Sequence, residues 1–229
     1  PKLYRGYILN RIAKQSKHSL NEFYFRRWSP EMAYILGLMA ADGCVLVNSV
    51  GTNATVRFTS KDKELVDLVW NAWESSKPIS EEESERWNWH GYKVEVYNKT
   101  MAGDLSLLGI GRRKTFKLEF PPMRTKYKRH FIRGLFDGDG GAWVSPKYHK
   151  IRLYWAGTKE MLEAISQYFA SKLSIRLRSV RLHSTGRIHE LTYHDSKEIF
   201  QVVEFLYRQS EGIRLERKFQ KIKSFFSNL

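Results

Sequence analysis

Cysteine is nearly absent. Cys44 stands alone, so neither an intramolecular disulfide nor a cysteine-based zinc site can be built. That removes stapled extracellular scaffolds and zinc fingers. No apolar run approaches the ~18 residues that a membrane-spanning helix requires. The opening stretch, PKLYRGYILNRIAKQSK, also lacks the continuous apolar segment of a secretory signal. The expected protein is soluble and intracellular, with no membrane partner. Acidic residues are scarce too: 24 Asp and Glu stand against 39 Lys and Arg, a formal net charge of +15 over 229 residues. With 42% hydrophobic and 14% aromatic residues there is ample material for a core, which excludes disorder, whose mark is apolar poverty. So large an excess of positive charge suggests a polyanion, because each phosphate neutralised by Lys or Arg releases condensed counterions. Nucleic acid is the first candidate; a basic surface kept for solubility is the plainer reading.

The length permits one large domain or two of about 100 residues, and an internal repeat decides between them. YILGLMAADG at 34–43 aligns without gaps with FIRGLFDGDG at 131–140, sharing Ile35/Ile132, Gly37/Gly134, Leu38/Leu135, Asp42/Asp139 and Gly43/Gly140. The flanks correspond as well. GCVLVNSV and TNATVRFT answer GAWVSP and KIRLYWAG, and Val56 and Phe58 alternate with Thr55, Arg57 and Thr59. The helical spacing of Leu65, Val69 and Trp73 is matched by Leu162, Ile165 and Phe169. A second hairpin follows in each half, turned at His90-Gly91 and at Ser184-Thr185-Gly186, and a closing helix runs into a basic stretch. The chain thus reads as an α+β fold using α-β-β-α-β-β-α twice, over residues 29–123 and 124–229. Residues 1–28 precede the repeat as a basic extension with seven Lys and Arg against Glu22. They are either a solvated arm or a contact to a nucleic-acid backbone. The acidic run Ser80 to Glu85 reads as a solvated loop that should face away from any bound polyanion.

On a helix, Gly37 and Ala41 fall on one face, as do Gly134 and Gly138, giving two strips without bulky side chains. A helix-interior glycine costs about 1 kcal/mol relative to alanine, a cost offset if the two strips press together. The motif helices are expected to meet there, with Gly43 and Gly140 ending them in the left-handed conformation. Asp42 and Asp139 then sit in the last turns. A carboxylate beside the negative end of a helix dipole is misplaced by roughly 0.3–1 kcal/mol, and joining two such ends compounds the cost. Paired carboxylates with free backbone carbonyls form an all-oxygen environment suited to Mg²⁺, and one acid per repeat suits hydrolysis on two strands. The alternative is a pair of aspartates held by local backbone bonds.

Both decapeptides resemble the LAGLIDADG motif of homing endonucleases, read here as ILGLMAADG and IRGLFDGDG. The resemblance covers the chain from about Trp28 onward and occurs twice at single-chain spacing. It implies a monomeric, pseudo-twofold endonuclease whose two antiparallel sheets form a saddle over double-stranded DNA, with the motif helices packed at the centre. The implied reaction is metal-assisted hydrolysis of a long, non-palindromic target, leaving short 3′ cohesive ends. The implied metal ligands are Asp42 and Asp139 with the backbone carbonyls of Ala41 and Gly138. Mg²⁺ is the expected cofactor, with Mn²⁺ substituting and Ca²⁺ binding without turnover. The sixth motif position is Ala40 in one copy and Asp137 in the other, a place where the family varies. The family's active-site lysines correspond best to Lys114 and Lys218, with Arg113 and Arg217 also open. Ser60 and Thr158 fall where the family places a polar residue that orients water, though each is also a plausible helix N-cap.

A two-stranded ribbon fits the DNA major groove, and strand alternation sorts the side chains that would line it. Thr55, Arg57 and Thr59, with Lys93, Glu95 and Tyr97, lie opposite Val56, Phe58, Val94 and Val96. In the second repeat Arg152 and Tyr154 oppose Ile151, Leu153 and Trp155, while Arg176 and Arg178 oppose Leu177; Lys147 and Arg187 add charge nearby. The face shifts around Arg181 and His183, which suggests a bulge or an early turn. Two other functions use the same scaffold: an intron maturase binding structured RNA, and a sequence-specific DNA-binding protein that has lost cleavage. A self-splicing intein is disfavoured, because Cys44 is internal and the chain ends Ser-Asn-Leu. The site of action would be wherever the target DNA lies.

Overall fold

A computed structural model describes residues 18–48, 53–85, 88–111 and 117–227. The first repeat forms α1 (Pro30–Asp42), β1 (Gly43–Val47), β2 (Ala54–Ser60), α2 (Lys63–Ala72), β3 (Ser80–Ser84), β4 (Trp89–Tyr97) and α3 (Lys99–Leu107). The second forms α4 (Thr125–Asp139), β5 (Gly141–Ser145), β6 (Lys150–Gly157), α5 (Lys159–Leu173), β7 (Arg181–Leu182), β8 (His189–Tyr193) and α6 (Ser196–Tyr207). The α+β class and the repeated element order are those the sequence predicts. One helix, α7 (Glu216–Ser227), goes beyond that order. The strands make two four-stranded antiparallel sheets, ordered β1-β2-β4-β3 and β5-β6-β8-β7.

Local chemistry accounts for the central helix. Ser29 caps α1 by accepting from the Met32 N–H at 2.9 Å, and Pro30 sits in the first turn, where its missing N–H costs nothing. From Met32 to Ala40 every residue of α1 is buried. Such a helix needs apolar neighbours on all sides, and α4 lies against it along its length. Within the first sheet the buried Val56 and Phe58 of β2 pair with Val96 and Val94 of β4; in the second, Leu153 and Trp155 pair with Tyr193 and Leu191. Each sheet therefore has one face on the core and one open face.

Three local expectations are corrected. The chain does not turn at His90-Gly91, which lie inside β4; Glu85 accepts from the Asn88 N–H at 3.1 Å, and Asn88 has φ 42°. The acidic run is not a loop either. Its residues 80–84 form β3, the edge strand paired to β4, where carboxylates discourage pairing with another chain. Finally, residues 174–180 are irregular and Leu177 is exposed, so the alternation assigned to Arg176 and Arg178 does not hold. The Ser166 hydroxyl accepts from the Arg178 N–H at 2.9 Å and donates to its carbonyl at 2.8 Å, so both backbone groups are already bonded. The turn at 184–186 is present, with Gly186 at φ 70°.

The described part of the basic extension, from His18 on, packs on the first repeat. Asn21 N–H bonds to the Trp73 carbonyl at 2.8 Å, Phe25 is buried, and Arg26 pairs with Asp104 at 2.8 Å. The solvated-arm reading does not fit these packed residues, while Arg26 and Arg27 remain exposed.

A candidate active site at the junction of two helices

The two motif helices meet at their glycines, as expected. A Cβ placed on Gly134 would lie 2.0 Å from the Tyr34 carbonyl oxygen, and one on Gly37 would lie 2.2 Å from the Phe131 oxygen. One turn on, a Cβ on Gly138 would strike the Ala41 Cβ at 2.3 Å and approach Asp42 Oδ2 to 3.5 Å. The carboxylate of the first repeat is thereby placed beside the backbone of the second. Asp42 and Asp139 end α1 and α4 and are both exposed. Gly43 and Gly140 do follow the helices, but not in the left-handed conformation: their φ values are −74° and −87°. Glycine is needed there because the chain folds back over its last turn. A Cβ would lie 2.5 Å from the Met39 oxygen in one copy and 2.7 Å from the Phe136 oxygen in the other.

Lys218 projects from the first turn of α7 into the C-terminal end of α4. Its Nζ donates toward the carbonyls of Phe136 (2.8 Å), Asp137 (2.8 Å), Gly138 (3.3 Å) and Gly140 (2.5 Å). An ammonium has three protons, so these carbonyls engage all of them. Burial pushes its pKa down to about 8, against the opposing pull of Asp137. Lys218 thus stands against the end of the motif helix and places its charge on the helix carbonyls. Its neighbour Arg217 makes a two-pronged pair with Asp62 of the first repeat, Nε–Oδ1 2.5 Å and Nη2–Oδ2 2.7 Å. Lys114 and Arg113 lie outside the described residues. Thr158 is the N-cap of α5, accepting from the Met161 N–H, whereas the cap position of α2 is Asp62 and Ser60 accepts from the Asp62 N–H.

Sequence reasoning missed the residue at the centre of this junction. Asp137, the sixth motif position, is buried and accepts from Tyr207 Oη at 2.6 Å, Tyr34 Oη at 2.8 Å and the Leu215 N–H at 2.9 Å. Burial raises its pKa while the three hydrogen bonds oppose that shift. Arg133, one turn earlier and fully buried, donates to the Leu206 carbonyl at 2.8 Å and the Ile213 carbonyl at 3.1 Å. The sequence signal was a charged pair one turn apart, Arg133 and Asp137, on a helix otherwise expected to be buried.

On the open face of the first sheet the expected residues do share one side, but their charges are largely met within the protein. Arg57 Nε and Nη2 bond Glu95 Oε2 at 2.9 and 2.6 Å, Tyr97 Oη donates to Glu95 Oε1 at 2.9 Å, and Lys77 approaches it at 3.6 Å. Lys93 is bonded to Glu82 of β3. The acidic strand therefore does not turn wholly away: Glu82 stands on the open face. Thr55 and Thr59 complete that face. On the second sheet, Arg152 and Tyr154 of β6 stand with Trp143 of β5 and Arg181 of β7 across from Glu190. A cleft of about 340 Å³ is lined by Arg152, Arg178, Arg181, Glu190, Thr192 and His194. Among the described residues Arg152 Nε has no hydrogen-bond partner. His194, which sequence reasoning passed over, is shifted down in pKa by burial and by Arg152, Arg178 and Arg181. Arg178 is tied to Glu198. Arg176, Lys147 and Arg187 are exposed, and His183 Nδ1 lies 3.1 Å from Thr185 Oγ1 in the turn.

Residues 29–102 match the LAGLIDADG-like domain. With the paired helices and the two sheets in view, the structural comparisons agree. The fold is that of the two-motif LAGLIDADG proteins. The homing endonuclease I-WcaI bound to its DNA recognition sequence superposes with a TM-score of 0.58 at 15% identity, covering 93% of this chain and 96% of that one. I-DmoI in complex with DNA and Ca superposes with a TM-score of 0.54 at 15% identity, covering 86% and 97%. An uncharacterized protein of Methanocaldococcus jannaschii is 27% identical over 212 residues, 87% of this chain and 69% of its own length.

The adjoining ends of α1 and α4 also suit a hard divalent cation. Glycine at 138 leaves Asp42 Oδ2 next to the backbone of the opposite repeat, and Asp139 ends that same helix. Two carboxylates and the carbonyls of Ala41 and Gly138 supply only oxygen, the Gly138 carbonyl keeping a lone pair beside the one that Lys218 Nζ approaches at 3.3 Å, and Mg²⁺ would complete its shell with water and phosphate.

Proposed function

We propose that this protein is a site-specific endonuclease that hydrolyses one phosphodiester bond in each strand of a long, non-palindromic DNA duplex. The observation that carries the reading is the pair of exposed aspartates, one per repeat, held at the abutting ends of two helices that only glycine and alanine allow to touch. Carboxylates at the negative ends of helix dipoles are electrostatically unfavourable for the helices themselves, and a bound cation would offset that cost. Asp42, Asp139 and the carbonyls of Ala41 and Gly138 would hold Mg²⁺. When bound, such a cation lowers the pKa of a coordinated water and offsets charge on the phosphate. The chain's own residues do the rest. The open sheet faces bind and register the duplex, the two carboxylates set the cleavage points, and Lys218 counters the negative end of α4. The DNA-bound neighbours of the same fold support the choice of substrate.

The test is incubation with a randomised duplex library and Mg²⁺, followed by sequencing of the cut ends. A single asymmetric consensus with short 3′ overhangs is expected, and with Ca²⁺ the same sequence should be retained on the protein uncut. Enrichment of one bound sequence with no cut ends under Mg²⁺ would instead identify a DNA-binding protein without cleavage.

A further inference from the structure

The second repeat has a buried hydrogen-bond centre where the first has Ala40, a residue with no polar side-chain atom. We propose that Asp137 is a positioning residue that seats α7 so that Lys218 engages the end of α4 beside Asp139. The inference rests on the endonuclease reading for its catalytic consequence, and on geometry alone for its placement.

The connection from α6 to α7 runs from Arg208 to Leu215, and its two ends are the points that Asp137 grips. Tyr207, the last residue of α6, donates to Asp137 Oδ1, and the Leu215 N–H, one residue before α7, donates to Oδ2. Tyr34 from α1 donates to the same Oδ2, so the clamp also spans the two repeats. Arg133, one turn earlier on α4, donates to the Leu206 carbonyl at the end of α6 and to the Ile213 carbonyl within the connection. Lys218 lies three residues past Leu215, so the direction in which α7 starts decides where its ammonium falls. In the arrangement seen it reaches four carbonyls between Phe136 and Gly140, bracketing Asp139. A buried acceptor with three donors holds its partners firmly, because releasing any one leaves a polar group unsatisfied. Asp137 is buried whereas Asp42 and Asp139 are exposed, so its influence on chemistry passes through Lys218.

Two readouts test this on the whole chain. The first is the rate of amine acetylation at Lys218, followed by peptide mass spectrometry, which needs no DNA. Asp137→Ala is expected to speed labelling of Lys218 several-fold relative to exposed lysines such as Lys150. Asp137→Asn keeps an acceptor for Leu215 but loses the same charge as Asp137→Ala, so it should label clearly more slowly than Asp137→Ala, the difference between the two reading position and not charge. The second readout is the separate cutting rate of each DNA strand in a single turnover. Because Lys218 and the helix end it engages both belong to the second repeat, Asp137→Ala should slow one strand and accumulate nicked duplex, with Asp137→Asn restoring the pattern. Unchanged Lys218 labelling in a folded Asp137→Ala protein, or equal slowing of both strands, would overturn the proposal. If Asp137→Ala does not fold, Tyr207→Phe, which removes one grip, is compared in its place, and unchanged labelling in that variant counts equally against it. Faster labelling of Lys218 in Asp137→Ala, together with a wild-type protein that cuts no DNA, would uphold the positioning and sink the endonuclease reading instead.

Discussion

Gly37 and Gly134 face each other so closely that neither tolerates a single added carbon: the clash is with backbone, 2.2 Å from the Phe131 oxygen in one direction and 2.0 Å from the Tyr34 oxygen in the other. Backbone cannot swing aside as a flexible side chain would. Gly37→Ala and Gly134→Ala should each force α1 and α4 apart and destabilise by about 1–3 kcal/mol or more, although alanine is the better helix former. Thermal melting is the measurement. A variant that melts at or above the wild-type temperature would mean that the helices are not packed this way.

Asp42→Asn and Asp139→Asn should each abolish double-strand cleavage under Mg²⁺ while leaving DNA affinity largely intact. Both side chains are exposed at the helix ends, so the amide costs little in folding. Replacing a carboxylate at the negative end of a helix should if anything stabilise the helix slightly. Cleavage assays beside binding in Ca²⁺ separate the two effects, and full cleavage by either variant would refute the assignment.

The repeats, the element order, the meeting of the helices and the two acids were all legible, because each leaves a periodic or duplicated trace in the chain. What the sequence hid were contacts between positions far apart. Asp137 is bonded to Tyr34, Tyr207 and Leu215, none of them at helical or strand spacing from it. The glycines after each helix were recognised but for the wrong reason, since a close approach to the preceding turn selects glycine as firmly as a positive φ does. Alternation placed Arg57 and Glu95 on one face correctly. Only the register, which makes them direct cross-strand partners, reveals that they neutralise each other. Residues 174–180 were misread because Ser166 captures the Arg178 backbone, a tertiary bond that no local pattern announces.

Lys218→Ala removes a cation from four carbonyls, so it should cost stability as well as cleavage, on the order of 1–3 kcal/mol for the buried acceptors left without a donor. Melting and single-turnover rates measured together would show both. A loss confined to DNA affinity would mean that the lysine contacts the DNA backbone instead of the helix end.

His130 gives the fold a pH dependence of definite sign. Burial, with Arg133 and Arg129 alongside, pushes its pKa down to about 4. An unfolded histidine titrates near about 6.5, so between the two values the unfolded state binds more protons. Its contribution to stability is therefore lost as pH falls from about 6.5 toward about 4. Urea unfolding of wild type and His130→Gln across that range should give the steeper pH slope to wild type, and parallel slopes would contradict the assignment.

The two sheets should divide the work of binding unequally. On the first, Arg57 and Lys77 are held by Glu95 and Lys93 by Glu82, so most of the positive charge facing outward is already answered by carboxylates. On the second, Lys147, Lys150 and Arg187 are exposed, and Arg152 and Arg181 line a cleft with Glu190 as the acid among its lining residues. Salt dependence counts phosphates neutralised, with a slope of log K against log salt near −0.9 per contact on B-DNA. The half-site under β5 to β8 should therefore carry the steeper slope and the greater share of affinity. The half under β1 to β4 should read base edges with little salt dependence. Glu95→Gln gives the sharpest check, since it frees Arg57 and Lys77 and should steepen the slope of the first half-site by about 1 for each that then meets a phosphate, whereas Arg57→Ala should change that slope little. Each half-site joined to random sequence, titrated across a salt series, provides the measurement. Equal slopes for the two halves, or no response to Glu95→Gln, would show that the ion pairs open on DNA and that the sheets bind alike.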